Sequence, residues 1–237
     1  MNTEKLALWP GGPEIRQTAH APVGTDAVLL ADFAAGKGKR GIDLGCGSGI
    51  LSLLLLLGSE ALRMTGLELN AAAAAFAREN LERCGLSLRG EIRQGDIRRV
   101  RELFQTGSFD LAVSNPPYFP KGSGRSAPDP QRASAREEAD CSLDELCAAA
   151  AYLLPTGGRL CVVYRPERLS ELLVCMTAHA IEPKRLRLCC HRPGSAPNLV
   201  LVEGRRGGRP GLKLEPILLL TDGAGNETEE LRRIYRR

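Results

Sequence analysis

Aromatic residues are scarce in this sequence. One Trp, four Tyr and five Phe amount to 4% of the 237 residues, so Leu and Ala must fill most of any interior. Long hydrophobic runs are also missing. The Leu53 to Leu57 cluster, with Ile50 and Leu51 before it, falls far short of the roughly 20 apolar residues that span a bilayer, so no transmembrane helix or membrane partner is expected. The stretch from Met1 to Pro10 carries Glu4 and Lys5 and lacks an apolar signal core and a small-residue cleavage site; a cytoplasmic location is the expectation. Cysteine is not rare, with eight residues, but no pair has the C-x-x-C spacing of zinc or redox sites. Cys161 and Cys175 sit in apolar runs and Cys46 within a motif, which predicts reduced, mostly buried thiols. Cys189, Cys190 and His191 are adjacent, yet neighbours on a strand point to opposite faces and do not converge on one ion, so no metal is expected. Net charge is low at +4 but unevenly placed: from Lys184 to Arg237 there are 12 Lys plus Arg against 6 Asp plus Glu. A basic C-terminal third fits a polyanion partner, and equally a solvated basic face.

What is present is ordinary globular usage, 43% hydrophobic and 25% charged, in a chain long enough for one domain with a substantial core. After Arg40, short apolar segments alternate with helical ones, the signature of a mostly parallel sheet with helices on both faces. Strands are expected at Gly41 to Leu44, Arg63 to Leu69, Leu88 to Arg93, Phe109 to Ser114 and Arg159 to Tyr164. Helices are expected at Ile50 to Leu57, Ala71 to Cys84, Leu143 to Leu154 and Glu167 to Ala178. Arg185 to Cys190 and Asn198 to Glu203 have no helix between them and predict an antiparallel hairpin at the sheet edge, giving seven strands of an α/β fold. One domain follows, with an N-terminal extension over 1–39, the core over 40–204 and a C-terminal extension over 205–237. Lys121 to Arg136, rich in Gly and Pro, reads as a loop beside the candidate site.

Asp43-Leu44-Gly45-Cys46-Gly47-Ser48-Gly49 lies where the first core strand turns into a helix, and its glycines let the backbone approach a ligand at the helix N-terminus. The dinucleotide fingerprint requires a small residue where Ile50 stands. Asp43 ahead of the glycines repels phosphates and fits a cationic, amino-acid-bearing cofactor. Glu68 ends the second strand, where a carboxylate accepts ribose hydroxyls, with Leu69 and Asn70 following it; Asp96 and Ile97 follow the third, where Asp96 is placed to accept from an adenine amino group. Each carboxylate alone is equally a cap or turn residue. Asn115-Pro116-Pro117-Tyr118 ends the fourth strand. Two prolines stiffen the turn, so the Asn115 side-chain oxygen and the Pro116 carbonyl can both accept from one substrate NH2 and free its lone pair to attack a sulfonium methyl. Tyr118 offers a face on which an extruded base stacks.

These motifs resemble the class I, Rossmann-like methyltransferases that use S-adenosyl-L-methionine, with Asp43 to Gly49 matching the cofactor loop and Asn115 to Tyr118 the amino-methylating motif. More narrowly, the chain resembles the bacterial tRNA1(Val) (adenine-N6)-methyltransferases, from Gly24-Thr25-Asp26-Ala27 to Gly225-Asn226-Glu227-Thr228 and Ile234-Tyr235. The resemblance implies methylation of an adenosine beside the anticodon of a valine tRNA. It also implies that Thr25 and Asp26 belong to an N-terminal lid over the cofactor and that Asn80 lies on the helix after the ribose carboxylate. From the residues alone, Thr25-Asp26 is equally a helix cap before Ala27 to Ala34. A tRNA-binding monomer or weak homodimer is expected. The competing expectations are a ribosomal RNA amino-methyltransferase, a protein glutamine methyltransferase and a non-catalytic RNA-binding protein. The glutamine enzymes usually carry a helical domain ahead of the loop, and only 42 residues precede Asp43.

Overall fold

The computed structural model describes residues 3–18, 23–36, 38–116 and 141–236. Period-two burial builds its centre. Along β6 (Leu111–Ser114), Leu111 and Val113 join the core on one face of the sheet and Ala112 the core on the other. Along β7 (Arg159–Tyr164), Cys161 and Val163 face one way and Leu160, Val162 and Tyr164 the other. A strand buried on both faces needs helices on both, and the chain supplies them. The first core holds α1 (Thr25–Ala34), α2 (Ile50–Gly58) and α3 (Ala71–Arg83). The second holds α4 (Val100–Leu103), α5 (Leu143–Leu153) and α6 (Leu169–Ala178).

The remaining core strands are β3 (Arg40–Leu44), β4 (Arg63–Glu68), β5 (Gly90–Gln94), β8 (Ile181–Cys190) and β9 (Pro197–Arg206). Their spatial order is β8-β9-β7-β6-β3-β4-β5, parallel except for β9. The seven expected strands and the antiparallel edge are therefore present. Two short strands of the C-terminal extension, β10 (Lys213–Leu214) and β11 (Leu218–Leu219), add to the outer edge of β8 and raise the sheet to nine. β8 and β9 run longer than expected. The register slips between Pro183 and Arg185, a bulge that lets a residue without an N–H sit inside the ladder.

The N-terminal extension holds an antiparallel hairpin that the sequence reading did not anticipate, β1 (Thr3–Ala7) and β2 (Glu14–Thr18), with Leu6 opposite Ile15. Helix α1 starts at Thr25, with extended Gly24 as its N-cap, so Thr25 and Asp26 occupy the first turn and not the cap. A short C-terminal helix, α7 (Glu229–Ile234), buries Leu231 in the first core. Among the described residues no helix is long and apolar enough to cross a membrane, and no three His, Cys, Asp or Glu side chains converge as metal ligands would.

Candidate active site

The β3–α2 loop is shaped by backbone that only glycine adopts readily. Gly45, Gly47 and Gly49 have φ of 76°, 52° and 79°. A Cβ on Gly47 would meet nothing within 4 Å, whereas one on Gly49 would press on Ala77 at 3.0 Å. Gly49 thus serves close packing of the loop on α3, and Gly47 leaves open space above the loop. The loop is anchored from the next strand: the Gly45 and Cys46 amides donate to Leu67 O at 2.9 and 3.1 Å. Cys46 turns its side chain into the core against Gly66, and burial pushes its thiol well above the usual range. What Cys46 can offer a ligand is its backbone.

Glu68 holds the loop and the following helix together. Its two carboxylate oxygens accept from the Gly47 and Asn70 amides, both at 2.8 Å. Each oxygen keeps lone-pair capacity, so the half-buried carboxylate fits a diol at the mouth of the cradle. Asn70 caps α3 through Ala73 N at 3.0 Å, and Leu69 lies exposed beside it. Ile97 leans toward the opposite side, its Cδ1 3.8 Å from where a Gly45 Cβ would stand. Glycine backbone open to solvent, a carboxylate and two apolar flanks fit an adenosyl cofactor.

Two acidic residues are already engaged within the protein. Asp43 is 1% exposed, and one of its oxygens accepts from Ser52 N at 3.2 Å and Ser52 Oγ at 2.9 Å. It braces the first turn of α2 from beneath the loop, so the repulsion of phosphate expected of it is not presented at the open surface. Burial, the dominant cause, raises its pKa to about 7, opposed by the Ser52 hydrogen bonds and reinforced by Glu68. Between about pH 4 and 7 the folded chain therefore keeps a proton that the unfolded chain releases, and this contribution to stability falls as pH rises through that window. Asp43→Asn should remove it. We expect the variant's Tm to gain about 5 °C on wild type between pH 5 and pH 8 in a paired thermal scan; parallel curves would assign the pH dependence elsewhere. Asp96 stands at the expected strand end but caps the 3-10 turn Ile97–Arg99 and is gripped by Arg98, whose Nε lies 2.9 Å from both oxygens. That pairing holds its carboxyl below the usual range.

Asn115 is positioned by register. Asp43 pairs with Val113, which places Ser114 level with Leu44. The buried Ser114 hydroxyl donates to Leu44 O at 2.8 Å and clasps the two strand ends. Asn115, the next residue, is thereby set alongside Gly45, one strand spacing from the cradle. Asn115 and Pro116 are half-buried; Pro117, Tyr118 and the loop expected over 121–136 lie outside the described residues.

Ser52, Ser114 and Arg98 were not picked out in the sequence, and Asn80 was placed only on its helix. Asn80 is 1% exposed. Its Nδ2 donates to Arg16 O at 3.1 Å and Ser48 O at 3.3 Å, and its Oδ1 accepts from Arg16 N at 2.9 Å. One amide thus ties hairpin strand β2 to the glycine loop. Asn80→Ala leaves three backbone groups without this partner and should cost about 3 kcal/mol in urea unfolding, with faster amide exchange across β1 and β2; a loss under about 1 kcal/mol would mean water replaces the bonds. Thr25 Oγ1 accepts from the Tyr235 hydroxyl at 3.1 Å, and Asp26 accepts from Ala27 N at 3.2 Å. Thr25 is therefore tied to Tyr235, and Asp26 bonds within the first turn of its own helix.

Known proteins share this architecture. A family model described as Methyltransferase small domain matches residues 20–177. A crystal structure of a predicted O-methyltransferase from Agrobacterium tumefaciens has a TM-score of 0.72 at 23% identity, covering 90% of this chain and 96% of that one, a likeness of fold. By fold and family model, the chain is a class I, S-adenosyl-L-methionine-dependent methyltransferase. Curated relatives are more similar in sequence. The tRNA1(Val) (adenine(37)-N6)-methyltransferase of Porphyromonas gingivalis is 35% identical over 201 residues, covering 81% of this chain and 78% of the relative. That of Cronobacter sakazakii is 35% identical over 183 residues, covering 76% and 73%. The chain belongs to the tRNA1(Val) (adenine(37)-N6)-methyltransferase family.

Proposed function

We propose that this protein methylates the exocyclic N6 amine of an adenosine in tRNA, the adenosine beside the anticodon of a valine tRNA. The observation that carries the reading is the Ser114 clasp, which sets Asn115 beside the first glycine of the cradle. When bound, S-adenosyl-L-methionine supplies a methyl group activated on a sulfonium. Gly45 and Gly47 give it backbone to lie against, Glu68 accepts the ribose hydroxyls, and Ile97 and Leu69 flank the base. Asp96, held at the strand end by Arg98, would accept from the adenine amine in exchange for part of that grip, and Thr25 and Asp26 close the N-terminal side.

The substrate nitrogen is a poor nucleophile because its lone pair is delocalised into the purine. Asn115 Oδ1 and the Pro116 carbonyl accept its two N–H bonds, favour a pyramidal nitrogen and release that lone pair. Both oxygens are neutral, so their contribution is position and dipole rather than strong-base catalysis. Tyr118 is the aromatic residue of the motif on which a flipped base would stack. The curated relatives, whose names specify this nucleotide, support the choice of tRNA.

The test is methyl transfer from isotope-labelled donor to unmodified transcripts, with nucleoside mass spectrometry. We expect one N6-methyladenosine per valine tRNA and none on ribosomal RNA or protein glutamine. Label confined to either of the latter would overturn the assignment.

A further inference from the structure

The structure sorts the basic residues of the C-terminal third into two sets. Most are committed to internal contacts. Arg185 pairs with Glu203 at 2.7 Å and Glu215 at 2.8 Å, Arg187 pairs with Glu230 at 2.8 Å, and Arg206 Nε donates to Ala151 O at 3.1 Å. Arg233 reaches Asp32 at 3.2 Å, and Arg236 stacks on Trp9 with 4.4 Å from Cζ to the ring centroid. Arg233 and Arg236 are thus already engaged within the protein. Arg192 belongs to the other set. It is exposed at the tip of the β8–β9 hairpin, and its guanidinium has no hydrogen-bond or ion-pair partner among the described residues.

Strand register places this tip relative to the site. Ser114 pairs with Val162, so Asn115 is level with Val163, which pairs with Leu201 of β9. From Leu201, β9 continues for four residues to Pro197, about 13 Å at ~3.3 Å per residue. The last pairing with β7 is Tyr164 with Val200, so beyond it the hairpin stands above the catalytic edge as a wall. The wall is stiff. His191 O accepts from Thr221 N at 2.8 Å and Thr221 Oγ1 at 2.7 Å, and β11 pairs with Cys189 and Cys190. At the tip, Ser195 N and Oγ donate to Arg192 O at 3.1 and 2.7 Å, closing a turn in which Gly194 has φ of 75°. Pro193 and Gly194 suit the two central positions of a type II turn. A second exposed cation stands at the foot of the wall, where Arg165 Nη1 donates to Asn198 O at 3.2 Å. Of the carboxylates that follow β7, Glu171 is taken by Arg168 at 2.6 Å, and Glu167 stands exposed.

We propose that the β8–β9 hairpin is a docking wall for the RNA phosphodiester backbone flanking the methylated base, with Arg192 at the crest and Arg165 at the foot as phosphate contacts. The inference rests on the RNA reading above and adds the surface that holds the substrate. A phosphate chain matches cations spaced along a rigid ridge, and a wall about 13 Å high guides the backbone past Asn115 while one base turns inward. The C-terminal extension gains a role: β11 and Thr221 brace the ridge.

Fluorescence anisotropy of a labelled valine tRNA transcript tests this with wild type, Arg192→Ala, Arg192→Lys, the Arg165→Ala/Arg192→Ala pair and a Lys39→Ala/Arg40→Ala control. Lys39 and Arg40 are exposed cations at the opposite end of β3. Arg192→Ala should weaken binding about 4-fold and the pair about 10-fold or more, with the log–log salt slope shallower by about 2 for the pair. Arg192→Lys should keep most of the affinity. Methylation by the pair should show a raised KM for tRNA with kcat and S-adenosylhomocysteine affinity unchanged. Wild-type RNA affinity in the pair, or an equal loss in the control, overturns the wall. If tRNA binds in a wall-dependent way and no adenosine is methylated, the catalytic reading fails and the wall stands.

Discussion

Asn115→Ala is expected to lower kcat by about 100- to 1000-fold, the range seen when one preorganised polar group is removed from a reacting centre. Cofactor affinity should stay within about 2-fold of wild type, because the adenosyl cradle is built from β3, β4 and the turn after β5. Alanine leaves the backbone in place, and the Ser114 clasp to Leu44 O does not involve the Asn115 side chain. One acceptor for the amine then remains, the Pro116 carbonyl, and the nitrogen lone pair stays in the ring system. Asn115→Asp is the sharper comparator. It keeps an acceptor of the same reach but adds a charge beside the sulfonium, so cofactor should bind at least as tightly while the gap between the two variants reports the value of a neutral acceptor. Single-turnover kinetics at saturating tRNA and titration calorimetry separate the two quantities. Wild-type turnover in Asn115→Ala would remove the amine clamp from the mechanism.

The positions of the central strands were legible because burial on both faces forces continuous apolar segments, and β3, β4, β6 and β7 fall within two residues of where those segments lie. The β1–β2 hairpin was not. Its apolar signal is sparse, and much of its anchoring is Asn80 reaching across 64 residues to the Arg16 backbone, which leaves no local pattern. The same holds for Ser114, whose hydroxyl acts 70 residues away on Leu44. The glycine loop and the positions of Glu68 and Asp96 were readable, but side-chain direction was not: spacing cannot tell that Asp43 turns under the loop to Ser52, nor that Arg98 folds back onto Asp96. Charge counting showed a basic third, and only pairing separates Arg192 from Arg185, Arg187, Arg233 and Arg236.

Glu68→Ala should be the most damaging change for cofactor binding. The carboxylate holds two backbone amides, Gly47 and Asn70, and so sets both the curvature of the cradle and the start of α3. It is also the acceptor proposed for the ribose diol. Hydrogen bonds to a charged group contribute about 1.5 to 3 kcal/mol each, so losing two to the ligand weakens cofactor binding by about 100-fold or more before any loss of loop shape. Glu68→Gln distinguishes the two parts. Its amide presents one acceptor oxygen and one NH2, and whichever way it turns, a donor faces either the Gly47 or the Asn70 amide. An intermediate loss of about 10- to 50-fold is expected. Calorimetry with S-adenosylhomocysteine measures both, and Glu68→Ala affinity within about 3-fold of wild type would take the carboxylate out of the ribose site. Asn115 follows β6 and Glu68 ends β4, strands that flank β3 from opposite sides, so their effects should multiply rather than merge: one variant loses the chemical step with binding intact, the other loses binding first.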